Sequence, residues 1–241
     1  MLYCEQLSFR YQTRQIIQHL TFHVNEGEFV SLIGPSGSGK STLFYLIGGL
    51  YEPEEGTIYL EGERVNGKRG LIGYMPQTSS LFPWRTVEEN IRLSQELEGQ
   101  IDPKQIKQLL ERIGLSSYAN HFPHQLSGGM QQRVAFARTL ASKKKLLCLD
   151  EPFGALDALT RSEMQRWLLS ILEEEKRTVL FITHSVEEAI LLSDRIYVLT
   201  PGPMKVKKEF HVPFPREHRW DQRGNKDFLE LREEIEAMLL G

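Results

Sequence analysis

A glycine-rich segment that ends in a lysine and hydroxyl residues has the composition and spacing of a phosphate-binding loop. It fits G-x-x-x-x-G-K-[ST] at every fixed position, and its residues, with the threonine that follows, are Gly34, Pro35, Ser36, Gly37, Ser38, Gly39, Lys40, Ser41 and Thr42. Glycines let backbone N–H groups converge on phosphate oxygens, and a following helix presents about half a positive charge at its N-terminus. Lys40 can then meet the β- and γ-phosphates, and the Ser41 hydroxyl can hold Mg²⁺. The segment therefore predicts a nucleotide site, against the alternative of a Gly/Ser turn that caps an ordinary helix.

Two adjacent carboxylates follow a short apolar run. Asp150 and Glu151 come directly after residues 146–149, which have the composition of a buried strand. If that strand ends beside the phosphate loop, Asp150 can bind Mg²⁺ directly or through water. The Glu151 side chain points in a different direction from that of Asp150, and Glu151 is the candidate general base for an attacking water. The alternative, a capped strand end before the turn at Pro152, leaves two carboxylates without a compensating cation.

A second glycine-rich loop precedes a predicted helix over 130–142. Its residues are Ser127, Gly128 and Gly129. Free backbone amides at a helix N-terminus, together with a serine hydroxyl, can bind an anion. Alone, this loop is more simply a serine N-cap with flexible glycines. In a chain that also carries a phosphate loop, it predicts a second phosphate contact.

The phosphate loop and the two carboxylates can meet only if the strands before them end side by side, next to the helices that follow. The apolar segment 29–33 predicts a strand that enters the phosphate loop, and a helix over 41–47 follows it. After residue 130 the predicted helices and strands alternate, over 130–142, 146–149, 160–176, 179–183, 186–192 and 196–200. Such alternation predicts a largely parallel sheet covered by helices on both faces.

The remaining segments surround this α/β body. Strands are predicted over 2–9 and 16–24, joined by a polar turn, and a ribbon over 206–212. Between 86 and 125 the spacing is helical, with Asp102 as an N-cap before Pro103. After a polar linker, the segment 227–240 is an amphipathic helix that presents Phe228, Leu231, Ile235 and Met238 on one face.

Composition excludes several classes of protein. The chain has 241 residues, 40% of them hydrophobic and 25% charged, which are ordinary globular values. A net charge of −3 argues against binding nucleic acid by bulk charge. The two cysteines, Cys4 and Cys148, lie among apolar residues, and we expect buried thiols in a reducing compartment. We expect neither a signal peptide nor a membrane-spanning segment.

One motif resembles a known family. Leu126 and the 127–129 loop, followed by Gln131, Gln132 and Arg133, resemble the signature motif of ATP-binding cassette (ABC) ATPases. Residues 146–151 are similar to the Walker B strand of that family, and residues 155–157 to its D-loop. The match runs in family order from residue 1 to about residue 200.

The resemblance also implies roles for four residues that their own surroundings do not establish. Gln77 is similar to the glutamine that contacts Mg²⁺ and the attacking water, and His184 to the switch histidine that contacts the γ-phosphate. Tyr11 is similar to the aromatic residue that stacks on adenine, and Asp157 to the D-loop aspartate at the nucleotide. By themselves, Gln77 and His184 would be surface residues, and Tyr11 a partly buried loop aromatic.

The resemblance implies a fold and a division of the chain. The fold is α/β, with a P-loop NTPase core, a mostly parallel sheet, an N-terminal antiparallel β subdomain and an inserted helical subdomain. The single domain would consist of a catalytic body at 1–85 and 130–212, a helical signature subdomain at 86–129, and a linker and C-terminal helix at 213–241.

The resemblance further implies a mechanism with partners. Two copies would pair head to tail as a homodimer that holds two ATP. The segment 81–90, Met130 and residues 213–216 are similar to the importers of nitrate, aliphatic sulfonates, taurine and thiamine precursors. We therefore expect a peripheral subunit at the cytoplasmic face of the cell membrane, beneath integral permease subunits. An external solute-binding protein would deliver the solute to these permease subunits. The alternative is a soluble ABC ATPase that acts on nucleic acid or ribosomes.

Overall fold

A computed structural model describes residues 1–175 and 177–240. Its strands are β1 Leu2–Tyr11, β2 Arg14–Val24, β3 Phe29–Ile33, β4 Glu55–Leu60, β5 Glu63–Arg64, β6 Gly73–Met75, β7 Leu146–Asp150, β8 Thr178–Thr183, β9 Arg195–Leu199 and β10 Val206–His211. Its α-helices are α1 Lys40–Ile47, α2 Val87–Leu97, α3 Pro103–Arg112, α4 Gly128–Ala141, α5 Ala158–Glu175, α6 Val186–Leu192 and α7 Lys226–Leu240. The last residues of the predicted segments 160–176 and 213–241 lie outside the described residues.

The central sheet has the strand order β10-β9-β3-β8-β7-β6, and every neighbouring pair except β10–β9 is parallel. All residues of β3, β7, β8 and β9 are buried, because helices or a second sheet cover both faces. This burial explains why these strands are continuous apolar runs in the sequence. The predicted parallel α/β fold is confirmed, with the carboxyl ends of β3, β7 and β8 at one edge.

A second, antiparallel sheet has the order β2-β1-β4-β5, and with α1 it covers one face of the central sheet. The predicted end of β1 at residue 9 is wrong. Instead of lying in a turn, Tyr11 is the last residue of the strand and pairs with Arg14. The turn is confined to Gln12 and Thr13, and Gln12 adopts φ 55°. The hairpin register therefore brings Tyr11 and Arg14 side by side at the tip.

The other face of the central sheet packs against α4, α5 and α6 and the helical segment 86–129. Helix α2 begins with a capping box between Thr86 and Glu89, and α3 begins at Pro103 after the predicted Asp102 N-cap. Helix α4 begins at Gly128, two residues earlier than the spacing predicts, because the Ser127 side chain caps it. The boundary predicted between residues 129 and 130 therefore falls inside the first turn of α4.

The C-terminal segment packs on this same domain. Phe228 and Ile235 of α7 are buried, and Leu231 and Met238 contact the same core, as the amphipathic pattern predicts. Asp194 fixes the preceding linker, since it accepts hydrogen bonds from Arg216 Nε and Arg219 Nη2, both at 2.9 Å. Among the described residues, no helix is both long and apolar enough to cross a membrane.

Both cysteines are free thiols inside the core. Cys4 in β1 and Cys148 in β7 are completely buried. Burial raises the pKa of each thiol well above its ordinary value, because the interior disfavours the thiolate. The predicted buried thiols are therefore confirmed.

Candidate nucleotide site

The phosphate loop connects the carboxyl end of β3 to the N-terminus of α1. Gly37 and Gly39 adopt φ 74° and 106°, which side chains rarely tolerate. A Cβ atom on Gly39 would also lie 2.6 Å from Ile16 Cγ2 of the antiparallel sheet. A Cβ atom on Gly37 would meet nothing within 4 Å, so this side of the loop is open to a ligand. The loop therefore forms a cradle for a ligand, and a side chain in place of one of these glycines would strain the loop or enter the cradle.

Lys40 lies within this cradle. Its Nζ donates hydrogen bonds to the backbone oxygens of Gly34, at 2.8 Å, and Pro35, at 2.9 Å. Burial lowers the pKa of Lys40, and the nearby carboxylates of Glu151 and Asp150 partly oppose that shift. The ammonium group is thus held over the loop, where phosphate oxygens can replace the two carbonyl oxygens.

Asp150 and Ser41 form a pair of oxygen ligands beside Lys40. Ser41 Oγ donates a hydrogen bond to Asp150 Oδ2 at 2.7 Å. Asp150 is only 3% exposed, and burial raises its pKa, while the Ser41 hydrogen bond and Lys40 favour its charged form. Hydroxyl and carboxylate oxygens are ligands that Mg²⁺ accepts, and it commonly takes its remaining ligands from phosphates and water. The donor set fits that ion, although no cluster of three or more acidic, histidine or cysteine ligands occurs in the part of the chain that the structure describes.

Glu151 lies at the meeting point of three strand ends. Its Oε2 accepts a hydrogen bond from Gln77 Nε2 at 3.1 Å and lies 3.3 Å from His184 Nδ1. Gln77 follows β6 and His184 follows β8, so the parallel sheet brings together residues far apart in the sequence. Glu151 adopts φ 48°, and such strained conformations of non-glycine residues concentrate at functional sites.

Most of the predicted phosphate and metal residues line one polar cavity of about 330 Å³. The predicted residues among them are Ser36, Gly37, Gly39, Lys40, Ser41, Thr42, Gln77, Asp150 and Glu151. Arg14 and Ile16 of β2 also line the cavity, although the sequence did not predict them there. The one feature of the sequence that pointed to Arg14 was its position, since it is a cationic residue close to Tyr11. Nearby, Ser38 Oγ is buried without a hydrogen-bond partner among the described residues.

Other predicted residues lie outside this cavity. Ser127 Oγ accepts a hydrogen bond from the Met130 backbone at 3.3 Å, and both Ser127 and Gly128 are exposed. Asp157 Oδ1 accepts one from the Thr160 backbone at 3.0 Å, and hydrogen bonds from the side chain and backbone of Thr160 lower the pKa of Asp157. Tyr11 is 57% exposed at the hairpin tip. None of residues 127–129 lines the cavity that the phosphate loop forms.

A larger cleft of about 440 Å³ lies beside the site, between the loop that carries His184 and helix α7. Its lining includes Glu187, Arg232 and Glu236 and no residue of the phosphate loop. The smaller cavity is the better nucleotide site, because only there do the glycine cradle, Lys40 and the oxygen pair converge.

Comparison with known proteins agrees with this geometry. The family model described as ABC transporter matches residues 17–154. The chain is 42% identical over 225 residues to the aliphatic sulfonates import ATP-binding protein SsuB of Bacillus cereus, with 92% of this chain and 88% of that protein covered. It is 41% identical over 247 residues to the formylaminopyrimidine import ATP-binding protein ThiZ of Halalkalibacterium halodurans, with 100% and 96% covered.

A solved structure extends the likeness to three dimensions. The dimeric structure of a post-hydrolysis state of the ATP-binding cassette MJ0796, bound to ADP and Pi, matches with a TM-score of 0.80 and 32% sequence identity. The match covers 89% of this chain and 100% of that one. The resemblance inferred from the sequence motifs is thereby confirmed. This chain belongs to the ABC transporter family and is an ATPase of the cassette type.

Proposed function

We propose that this chain is the ATPase subunit of an importer, in which two copies hold two ATP between them and serve membrane permease subunits. The observation that carries this proposal is the separation of the two glycine-rich loops within one chain. The phosphate loop lines the cavity, whereas Ser127 and Gly128 are exposed outside it. A second copy turned head to tail would bring its own 127–129 loop to the open side of the cavity. Each nucleotide would then be clamped from both sides.

The cavity residues suit phosphoryl transfer to water. The loop amides and Lys40 would hold the phosphates, with Tyr11 stacked on the adenine. Mg²⁺, held by Ser41 and Asp150, would neutralise phosphate charge. Glu151 would accept a proton from the attacking water, and its carboxylate contacts Gln77 and His184.

In this proposal, ATP binding is coupled to movement because two copies of the chain close around the nucleotide. Excluding water from the γ-phosphate strengthens each charge contact there, since the local dielectric constant falls. Asp157 and the 127–129 loop would face the partner copy in this arrangement. Loss of the γ-phosphate would remove the group that both copies share, and the copies would separate.

Exchange between two defective variants tests the shared site. Ser127→Arg should bind ATP with its intact phosphate loop but hydrolyse it at least about a hundredfold more slowly, because the new side chain fills the space of the partner's phosphate. Mixing it with Lys40→Ala should restore hydrolysis, since the hybrid pair contains one site with both loops intact. The measurement is phosphate release by each variant and by the mixture.

The control for this exchange is Ser117→Arg, an exposed serine of the same helical segment, which should keep full activity. Thermal unfolding of Ser127→Arg measures how much stability is lost with the N-cap of α4, a loss of about 1 kcal/mol. A mixture no more active than its components would exclude a site built from two chains.

Two exposed aromatic residues next to Gln77 suit a permease contact. Trp84 is 70% exposed and stacks on Phe82, with ring centroids 5.1 Å apart. The buried Asn90 side chain holds the backbone beneath them, since it accepts a hydrogen bond from Phe82 N at 2.8 Å and donates one to Arg85 O at 3.0 Å. Exposed aromatic clusters on a fixed backbone are typical of interfaces. We propose that a helix of a permease subunit docks here, at the cytoplasmic face of the membrane.

The proposed solute is a small molecule of the class carried by the nitrate, sulfonate, taurine and thiamine-precursor importers, delivered by an external binding protein. The two relatives named above differ in solute although both are about as similar to this chain. Contacts with solute would lie in other subunits, which explains why the ATPase site carries no mark of it. Mg²⁺ as the metal is part of the same proposal.

Capture from detergent tests the importer assignment. The tagged chain, purified in detergent from the membranes of its own cells, should retain a polytopic membrane protein, the permease. Trp84→Ala should reduce retention at least about tenfold, because an aromatic anchor is lost, while ATP hydrolysis stays normal. Tyr3→Ala, which removes an exposed aromatic from the antiparallel sheet, is the matched control and should retain the permease. Salt-sensitive binding of RNA or DNA, with no permease retained, would instead favour the soluble class of ABC ATPase.

A further inference from the structure

The carboxylate of Glu188 is largely shielded from solvent and lies outside the nucleotide cavity. Glu188 belongs to α6, and its side chain is only 14% exposed. Its Oε2 accepts a hydrogen bond from Thr183 Oγ1 at 2.6 Å, and its Oε1 accepts one from Gln165 Nε2 at 3.0 Å. Thr183 ends β8 and Gln165 lies within α5, so this carboxylate joins three elements.

One side of Glu188 fixes the backbone on both sides of His184. Thr183 Oγ1 accepts a hydrogen bond from the Ser185 backbone N–H at 3.0 Å, in addition to its own bond to Glu188. Ser185 Oγ in turn accepts one from the Glu188 backbone N–H at 3.2 Å. The residues before and after His184 are therefore both tied to Glu188, while His184 itself is free to face Glu151.

The other side of Glu188 faces Arg161 of α5. Arg161 Nε lies 3.9 Å from Glu188 Oε1, too far for a hydrogen bond, and is buried with no hydrogen-bond partner within residues 1–175 and 177–240. The same guanidinium donates from Nη2 to the Leu156 backbone oxygen at 3.0 Å, directly before Asp157. A movement of about 1 Å would convert the 3.9 Å contact into a charge-assisted hydrogen bond.

We infer that Glu188 is a positioning residue that couples the loop of Asp157 to the loop of His184 through Arg161. Arg161 Nε has no hydrogen-bond partner of its own to give up, so docking of the partner copy against the 155–157 loop can close the Arg161–Glu188 contact without breaking another bond of that atom. The same carboxylate holds Thr183, so that movement is transmitted to the backbone at His184. This inference rests on the proposed function, in which Asp157 faces the partner copy. Through Glu188, each copy senses whether its partner is docked.

The test begins with Glu188→Gln, which keeps the side-chain volume and an oxygen for Thr183 but removes the charge that faces Arg161. We expect kcat for ATP hydrolysis to fall about tenfold, as for other misplaced catalytic groups. The nucleotide Kd should stay within about twofold of the wild-type value, because Glu188 does not line the cavity. The Hill coefficient for ATP should fall towards one, a change that a merely stabilising residue would not cause.

Glu187→Gln is the matched control. It is the preceding residue of α6, and its half-exposed carboxylate pairs with Arg223 at 3.1 Å. We expect it to keep the wild-type kcat and Hill coefficient. If Glu188→Gln does not fold, Arg161→Gln removes the same contact from the other side and should give the same loss of kcat.

Double variants separate this coupling from independent effects. Because Glu188 acts through Arg161 and towards His184, the loss of kcat in Glu188→Gln should not multiply with that of Arg161→Gln or His184→Ala. Losses that multiply, or a Glu188→Gln protein that is less stable but has normal kcat and Hill coefficient, would overturn the inference. Normal hydrolysis by His184→Ala would instead overturn the proposed role of His184 and this inference with it. An impaired His184→Ala beside a normal Glu188→Gln would overturn this inference alone.

Discussion

Lys40→Ala should bind ATP at least about a hundredfold more weakly than the wild-type chain, because it loses charge-assisted bonds worth roughly 1.5–3 kcal/mol each. Lys40 Nζ donates hydrogen bonds to the backbone oxygens of Gly34 and Pro35, and these bonds hold the ammonium group over the loop. Alanine also leaves those two carbonyl oxygens without their donor. Titration with ATP measures the Kd, and the rise in thermal unfolding temperature on adding ATP should disappear.

Lys68→Ala is the control for this experiment, since it removes a lysine outside the cavity and should bind ATP normally. Unfolding of Lys40→Ala without nucleotide shows whether the loop itself is weakened. A folded Lys40→Ala protein with wild-type affinity for ATP would contradict the assignment of the phosphate loop.

Glu151→Gln should keep ATP binding and lose hydrolysis by about 10²–10⁴-fold, the usual contribution of a general base. The amide keeps the volume of the carboxylate and an oxygen for the Gln77 hydrogen bond, but it cannot take a proton from water. Removing a negative charge beside the phosphates also removes a repulsion. With ATP bound and not consumed, the protein should accumulate as a closed dimer. Phosphate release measures the first effect, and light scattering with and without ATP measures the second.

Glu187, three residues after His184, provides a comparison, since Glu187→Gln should hydrolyse ATP normally and show no ATP-dependent dimer beyond the wild-type level. A Glu151→Gln protein that hydrolyses ATP at the normal rate would remove Glu151 as the base. One that is inactive yet stays monomeric with ATP would separate the role of the base from the proposed pairing of two chains.

The sequence predicted local features well because their causes are local. The phosphate loop requires glycine at positions such as Gly39, where any side chain would strike Ile16. The strands of the parallel sheet are apolar runs because they are buried on both faces. Helix starts at Thr86 and Asp102 follow from side chains that cap their own backbone.

Features that depend on distant contacts could not be predicted in this way. Arg14 reaches the cavity only because the hairpin register pairs its residue with Tyr11, and the sequence suggested a longer turn there. The link between Arg161 and Glu188 joins two helices that flank β8, and neither residue stands in a recognisable motif. For Gln77 and His184 only the family resemblance suggested a role, since single polar residues after strands are ordinary.

The buried thiols have a practical consequence for experiments on this molecule. A maleimide or a spin label reacts with an accessible thiolate, and Cys4 and Cys148 offer neither access nor ionisation in the folded chain. The two native cysteines can therefore be kept, because a cysteine introduced on the surface would be the one thiol that reacts with the label. Fluorophores or spin pairs attached at such positions can report distances between two chains during turnover, in an otherwise unaltered protein.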